Sequence, residues 1–483
     1  MPDLNKHLLN YPDHIISALA RQARQHNTQV YFAGGPVRDW LLGEKPTDLD
    51  ITVPDNSFIF AKALARDLQG TLVPLSETEG IARVVSNKLW LDISSYRDGT
   101  NAIEDDLRKR DFTINAMAVA FDACTYSLTG DIIDPTSGLD DLQSGIIRTA
   151  SNTAFLEDPL RLLRAFRFMA CLKFRLATGT RDLIKHQAAL IHHSAGERQA
   201  YELDKIMTSV SAGKAVSEMA AVELLWQIFP ELIPGVGMAQ PASHHLDVFG
   251  HNLETLKQIE KIIAAPGELF PEYLPDIEAY LGQKGKISQL KFAALFHDLG
   301  KPQAFAIKNG RQTFYNHDQL GVKLLSSIAK RLKWSTIDRR TISLLVKHHM
   351  RPFHLNNAKN KTGITSRACL KLIKAIGDEL IGLFLLAMAD SLAGCGPGKP
   401  AGMEDSLVNL FDEIYQVNRQ ILQPVLKNPL LLNGHDLILL GQKPGPLFGR
   451  FFRELEMLQI NNPEISKAEA LQWATDFFNN KKY

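Results

Sequence analysis

Residues 30–53 read VYFAGGPVRDWLLGEKPTDLDITV, and the rest of the chain is organised around them. An apolar strand-like run leads into Gly34-Gly35, then a short helix-like segment, then a second strand-like run carrying Asp48-Leu49-Asp50. Strand side chains alternate faces, so Asp48 and Asp50 share one side while Leu49 and Ile51 take the other. Two carboxylates on one face suit Mg2+, a hard cation that takes one or two protein carboxylates and completes its shell with water and phosphate oxygens. The glycine pair lets backbone approach a phosphate closely, and Arg38 follows within a turn as an anion donor. A β-hairpin with an acidic outer face would explain a bare DxD. The ordered set of strand, Gly-Gly, Val37-Arg38-Asp39 and Asp48-x-Asp50 is more restrictive, and it points to phosphoryl or nucleotidyl transfer.

At 483 residues the chain exceeds one hydrophobic core, and its length predicts about three domains. A hydrophobic content of 45% and a charged content of 22% belong to an ordinary folded protein. The formal charge of +1 gives no global nucleic-acid signal, so any basic surface has to be local. Cys124, Cys171, Cys369 and Cys395 are scattered without CxxC spacing and read as reduced thiols. The N-terminal MPDLNKHLLNYPDH lacks a cationic-then-apolar signal pattern, and no apolar run reaches membrane-spanning length. The expectation is a cytoplasmic protein without a membrane partner.

GGPVRDWLLG followed by DLDI resembles the head signature of the nucleotidyltransferase superfamily, specifically the bacterial-type (class II) tRNA nucleotidyltransferases and their poly(A) polymerase relatives. The resemblance implies an α+β protein: a polymerase-β-like α/β head at 1–150, a helical neck at 151–238, an HD domain at 239–400 and a helical C-terminal domain at 401–483. It also implies tRNA, CTP and ATP as partners, with Asp48 and Asp50 as the catalytic metal ligands. In the head, the pattern predicts a helix over Phe58 to Leu68 and strands over Gly80 to Val85 and Leu89 to Ile93, with an Asn87-Lys88 turn between them. Asp92 reads equally as a third carboxylate of the site and as a half-exposed strand residue.

DLRKRDFTINAMA, from Asp106 to Ala118, resembles the family's second motif. That assigns Arg110 and Asp111 to ribose and phosphate, and Asn115 to the incoming nucleotide. Lys109 stands where the family usually has arginine, keeping the charge and losing the bidentate fork. DPTSGLDDLQSGIIRT, from Asp134 to Thr149, matches the third motif and is rich in turn residues.

EDPLRLLRAFRF, from Glu157 to Phe168, has two readings. Asp158-Pro159 makes a good helix start, with Asp158 as N-cap. Asp158 and Arg161 are also helix neighbours at i, i+3, one an acceptor only and the other a donor only. Together they match a base edge with an exocyclic amine beside a ring-nitrogen acceptor, as in cytosine and adenine, and mismatch uracil and guanine. In the resembling family this helix is the protein template for CTP and ATP, with Glu157 and Arg164 as orienting partners. Downstream, Arg161, Arg164, Arg167, Lys173, Arg175 and Arg181 follow with no acidic residue between the first and last. Such a run is often a solvated face; beside a polymerising site it would track RNA phosphates, with Arg167, Lys173 and Arg175 as the contacts. ERQAYELDKIM, from Glu197 to Met207, resembles the fifth motif and is expected to brace the neck.

From about residue 240, His251 in FGHNLET, His297-Asp298 in FHDLGKP and Asp390 in AMADSLA fall in helix-like sequence. Their order resembles the HD phosphohydrolase superfamily, where such side chains ligate a metal. Mixed imidazole and carboxylate donors suit Mn2+, Ni2+ or Co2+ better than Mg2+. His317, His348 and His349 are candidates for phosphate or a second metal, and a degenerate domain kept for RNA binding is the alternative. NGHDLILLGQKPGPLF, from Asn433 to Phe448, resembles the C-terminal domain of the same enzymes, with amphipathic helices expected over Phe451 to Leu458 and Ala468 to Phe478. Between Ile93 and Asp106 there are twelve residues, SSYRDGTNAIED. Full CCA-adding relatives carry a flexible loop there, so the resemblance implies a CC-adding enzyme working with a separate A-adding partner. A poly(A) polymerase and a phosphohydrolase with a vestigial head are the rival readings.

Overall fold

The computed structural model describes residues 4–77, 80–87 and 89–479, the side chains of 360–362 excepted. It divides into two compact units, Met1–Pro230 and Glu231–Tyr483. Among the described residues no helix is long and apolar enough to cross a membrane.

The first unit is built on a seven-stranded sheet: β1 (Val30–Ala33), β2 (Asp48–Val53), β3 (Thr71–Ser76), β4 (Ile81–Ser86), β5 (Leu89–Ser95), β6 (Ala118–Asp122) and β7 (Ser127–Ile133). The strand order is β3-β4-β5-β2-β1-β6-β7. β2 runs parallel to β5 and antiparallel to β1, so it is a central strand with both edges paired. Leu49, Ile51 and Val53 are buried on one face beside Leu91 and Ile93 of β5. The helix Ser57–Asp67 packs on β4 and β5 and buries Phe60, Ala61 and Leu64. That layer claims the apolar face and leaves the opposite face of the central strands for polar chemistry. Helices Arg161–Leu172, Thr178–Gln187, Gly196–Thr208 and Ala212–Ala221 follow, and Leu162, Leu163, Phe166, Leu203 and Ile206 are buried among them.

The second unit is helical apart from a two-stranded hairpin, Ala306–Lys308 with Arg311–Thr313. Its centre is Leu380–Ala393, LIGLFLLAMADSLA, which buries residues on every side. A helix apolar all round is stable only when enclosed, and here Val248–Ala264, Lys286–Phe296 and Thr336–His348 pack against it. A separate cluster of Leu437, Phe451, Leu455, Phe477 and Phe478 joins the last helices, Gly434–Leu439, Pro446–Asn461 and Lys467–Asn479.

The expected head elements form within a residue or two of their predicted ends, a normal margin for helix boundaries; Lys88 of the expected turn lies outside the described residues. Two local expectations are corrected. The helix of the EDPLRLLRAFRF stretch starts at Arg161, and Asp158 ends the preceding short helix Ala154–Glu157 in an extended conformation (φ −140°, ψ 102°). Asp158 and Arg161 are therefore not neighbours on one helix. His297 and Asp298 are not within a helix either: Lys286–Phe296 ends just before them and they occupy the turn beyond.

Candidate active sites

Asp48 and Asp50 project from the same face of β2. Register places Asp50 opposite Asp92 of β5, and Asp92 opposite Arg83 of β4, giving one transverse row across three strands. Arg83 holds Asp92 through Nε and Nη2 at 2.6 and 2.7 Å and reaches Asp48 Oδ2 at 3.4 Å, with its guanidinium 4.5 Å from the Trp90 ring centre. Asp92 thus belongs to the carboxylate face, and Arg83, which no motif singled out, is its counter-charge. Burial pushes the Asp50 carboxyl up to about 6; the Arg110 guanidinium opposes this, and the nearby Asp48 and Asp92 carboxylates add to it. Crowded oxygen donors with surplus negative charge fit a hard divalent cation.

The glycine pair makes room for the site's own side chains. Gly34 has φ +79°, and a Cβ there would lie 2.5 Å from Arg110 Nη1; a Cβ on Gly35 would lie 3.3 Å from Asp50 Oδ2. Arg110 in turn donates to Thr52 Oγ1 at 3.0 Å and pairs with buried Asp106. Arg38 donates to Asn115 Oδ1 at 2.6 Å, Asn115 donates to Asp111 Oδ1 at 3.0 Å, and Asp111 Oδ2 accepts from Arg164 Nη2 at 2.6 Å. Residues from three separate stretches of sequence therefore form one polar chain. Burial alone would raise the Asp111 carboxyl; the Arg164 guanidinium and the Asn115 amide override it and hold the group well below the usual carboxylate range.

Asp158 Oδ1 accepts from Leu160 N–H at 3.0 Å and Oδ2 from Arg198 at 3.0 Å. Arg161 donates to Glu157 Oε2 at 3.0 Å and to the Lys109 carbonyl at 3.1 Å. Each is oriented by its own partners, and neither pairs with the other. The cationic run is not one stripe: Arg164 pairs with Asp111, Arg167 with buried Glu202 at 3.2 Å, and Arg181 with Glu218, whereas Lys173 and Arg175 are exposed. Sequence order hid this, because the acids that neutralise the run lie outside it. Glu202 and Arg198 both sit on Gly196–Thr208, the helix that carries the fifth motif.

In the second unit His251, His297, Asp298 and Asp390 converge. His251 Nε2 lies 2.9 Å from Asp390 Oδ1, and His297 Nε2 lies 3.3 Å from Asp298 Oδ2 and 3.7 Å from Asp390 Oδ1. The other Asp298 oxygen faces His317 Nε2 at 3.4 Å and His349 Nε2 at 3.6 Å. His348 does not join the candidate ligand groups among the described residues. His297, His317 and His349 place Nδ1 within 2.7–2.9 Å of the carbonyls of Ala294, Phe314 and Val346. An Nδ1–H donated there leaves each Nε2 lone pair directed at the carboxylates, the tautomer a metal ligand needs. His297 Nε2 is buried with no hydrogen-bond partner among the described residues. A lone pair facing a carboxylate is unfavourable unless a cation lies between them, so the donor set fits a metal.

Two further residues belong here that sequence reasoning missed. Lys301 Nζ is 2.5 Å from Asp298 Oδ2 and 2.6 Å from Gln240 Oε1, and His244 stacks on His251 with ring centres 4.4 Å apart. Lys301 ends the FHDLGK stretch and so carried a local signal; His244 carried none. Burial opposes ionisation of Asp298, but the Lys301 ammonium beside it holds the group well below the usual carboxylate range.

Residues 30–148 match the family described as "Poly A polymerase head domain", 173–235 "Probable RNA and SrmB- binding site of polymerase A", and 248–390 "HD domain". The A-adding tRNA nucleotidyltransferase of Deinococcus radiodurans is 31% identical, covering 92% of this chain and 95% of its own. The CC-adding enzyme of Thermus thermophilus is 28% identical over 92% and 93%. Among solved structures, a CCA-adding enzyme with ATP superposes with a TM-score of 0.66 at 23% identity over 97% and 95% of the two chains, which shows a shared fold. By full-length similarity to characterised relatives, and by a head and an HD segment in the expected order, the chain belongs to the tRNA nucleotidyltransferase family.

Proposed function

We propose that the protein extends the 3′ end of tRNA from CTP or ATP without a nucleic-acid template, and that it adds a single kind of base. The observation that carries the transfer reading is the Asp48–Asp50 face beside the Arg38–Asn115–Asp111–Arg164 chain. Divalent cations held by Asp48 and Asp50, Mg2+ by their chemistry, would acidify the terminal 3′-OH and neutralise the triphosphate. Arg110, Asp111 and Asn115 orient the nucleotide, Gly34 and Gly35 keep the backbone close, and Asp158 with Arg161 reads the base edge. Lys173 and Arg175 carry the RNA phosphates, and the protein works in the cytoplasm. We keep the four-part division 1–150, 151–238, 239–400 and 401–483 as part of this proposal.

The single-base reading is supported by the connection after β5. Arg97 donates to Asp106 through backbone N–H and Nη1, each at 2.9 Å, and Lys109 pairs with Asp98 at 3.1 Å. A template that switches between two bases needs a mobile element to stabilise its second state, and this segment is tied down at Arg97 and Asp98. We favour CC addition, with a separate A-adding enzyme completing the end. The second reading is A addition, favoured by the likeness to the Deinococcus enzyme. Sequencing of product ends decides between them: with CTP and ATP together, a CC-adding enzyme extends tRNA ending at the discriminator base by two C and stops. An A-adding enzyme leaves that tRNA untouched and extends one ending in CC. A full CCA end on the first substrate would overturn the single-base reading, and long A tails on a generic primer would make this a poly(A) polymerase. Asp50→Ala should abolish incorporation in every case while tRNA still binds.

The HD cluster is proposed as a second, phosphohydrolase site for a transition metal such as Mn2+, Ni2+ or Co2+, supported by its buried His and Asp donors. It also argues against a vestigial head beside a working hydrolase that the head's own carboxylates and base-reading pair are present.

A further inference from the structure

The hairpin of the second unit stands directly beside the HD cluster and presents chemistry that packing does not use. Asn309 (φ 51°) and Gly310 (φ 72°) make its two-residue turn, and Ile307 opposes Gln312 while Lys308 opposes Arg311. Lys308 and Arg311 therefore share one face, where the Lys308 ammonium lies 4.9 Å from the Tyr315 ring centre. Tyr315 is 66% exposed and Ile307 68%, and among the described residues neither Lys308 nor Arg311 has an acidic partner in an ion pair. A lone two-stranded ribbon is marginal in water, so exposed aromatic and aliphatic surface on it costs stability without strengthening a core. The base of the hairpin is tied to the cluster. Phe314 packs on Phe305, its carbonyl meets His317 Nδ1 at 2.8 Å, and Lys301 Nζ lies 5.7 Å from its ring centre.

We infer that this hairpin is the recognition element of the HD site, holding the base and phosphate of a nucleotide next to the phosphoester bound at the cluster, so that the substrate is a single-stranded oligonucleotide. The inference rests on the phosphohydrolase reading. An exposed ring with the Lys308 ammonium against it, and the uncompensated Arg311 guanidinium on the same hairpin face, matches a stacked base with its backbone phosphate. The tie through Phe314 and His317 to Asp298 sets one end of that strand at the metal ligands. A phosphoester without a base would use the cluster and leave the hairpin idle.

The test uses the full chain loaded with Mn2+ and two substrates, bis(p-nitrophenyl) phosphate and a short oligoribonucleotide. Tyr315→Ala and the double change Lys308→Ala/Arg311→Ala should raise KM for the oligonucleotide by about tenfold, the scale of one lost base–aromatic stack. Its kcat and hydrolysis of the base-free ester should stay at wild-type values. In parallel, an oligonucleotide carrying 4-thiouridine should crosslink to the peptide containing residues 305–315 of the wild type. Unchanged KM in both variants, or crosslinks that avoid this peptide, overturns the inference. Crosslinking here in a wild type that hydrolyses neither substrate would refute the phosphohydrolase reading and leave the docking surface standing.

Discussion

Asp158 is asked to do two things at once. Its Oδ1 satisfies the Leu160 N–H at the start of a helix, and its Oδ2 is fixed by Arg198. Replacing it by alanine would mix loss of the turn contact to Leu160 and of the Arg198 pair with lost base reading. Asp158→Asn separates them: the amide oxygen still accepts from Leu160, while the amide NH2 donates where cytosine and adenine need an acceptor. Discrimination against UTP should fall by roughly tenfold to a hundredfold, since leaving a buried polar group unpaired costs about 1–3 kcal/mol at about 1.4 kcal/mol per decade. Melting temperature should fall only slightly, because the Arg198 pair that the amide gives up is solvent-exposed and worth about 0–1 kcal/mol. Steady-state incorporation of each NTP measures this, and unchanged base choice in Asp158→Asn would reduce the residue to a turn contact that positions the start of the helix.

Elements of this chain were legible where a local pattern carried them. The alternation in DLDITV placed Asp48 and Asp50 on one face, and ordered His, His-Asp and Asp residues located a cluster whose four named members come from two helices and a turn. What the sequence concealed are pairings between remote segments: Arg83 with Asp92 across two strands, Arg167 with Glu202 across two helices, Arg97 with Asp106 under the connection. None of these leaves a periodic trace. The start of the helix at Arg161 was misread because Asp-Pro satisfies capping chemistry whether or not the next two residues are helical. The third motif makes sense only at this scale. Its helix, Gly138–Gln143, approaches the Thr113–Asn115 turn so closely that a Cβ on Gly138 would overlap the Thr113 carbonyl oxygen. Gly138→Ala must push these elements apart at a typical overpacking cost of about 1–3 kcal/mol, lowering the melting temperature by about 2–4 °C per kcal/mol for a unit of this size. It also moves Asn115 away from Arg38, so nucleotide KM should rise with the loss of stability; calorimetry and initial rates together check both.

Two compact units with separate buried clusters and separate candidate metal ligands imply two chemistries that can be removed one at a time. Asp298 needs care in such a dissection, because Lys301 beside it is only 7% exposed. Deleting one member of a buried ion pair strands the other, at about 3–5 kcal/mol, so Asp298→Ala could lose activity simply by unfolding. Asp298→Asn keeps the shape and an amide oxygen for Lys301 but still removes its counter-charge, so the cleaner variant is His297→Ala, which leaves the Asp298–Lys301 pair intact and removes an imidazole whose Nε2 has no hydrogen bond to lose among the described residues. Metal-dependent phosphoester hydrolysis should therefore survive Asp50→Ala and vanish in Asp298→Asn and His297→Ala, while nucleotide incorporation shows the reverse pattern. Added Mn2+ should raise the unfolding temperature of the wild type and of Asp50→Ala, because ligand bound only by the native state stabilises it by mass action. It should not do so for His297→Ala. If hydrolysis disappeared with the head variant and persisted with the HD variants, both reactions would belong to one centre, and the second cluster would be a structural core of histidines.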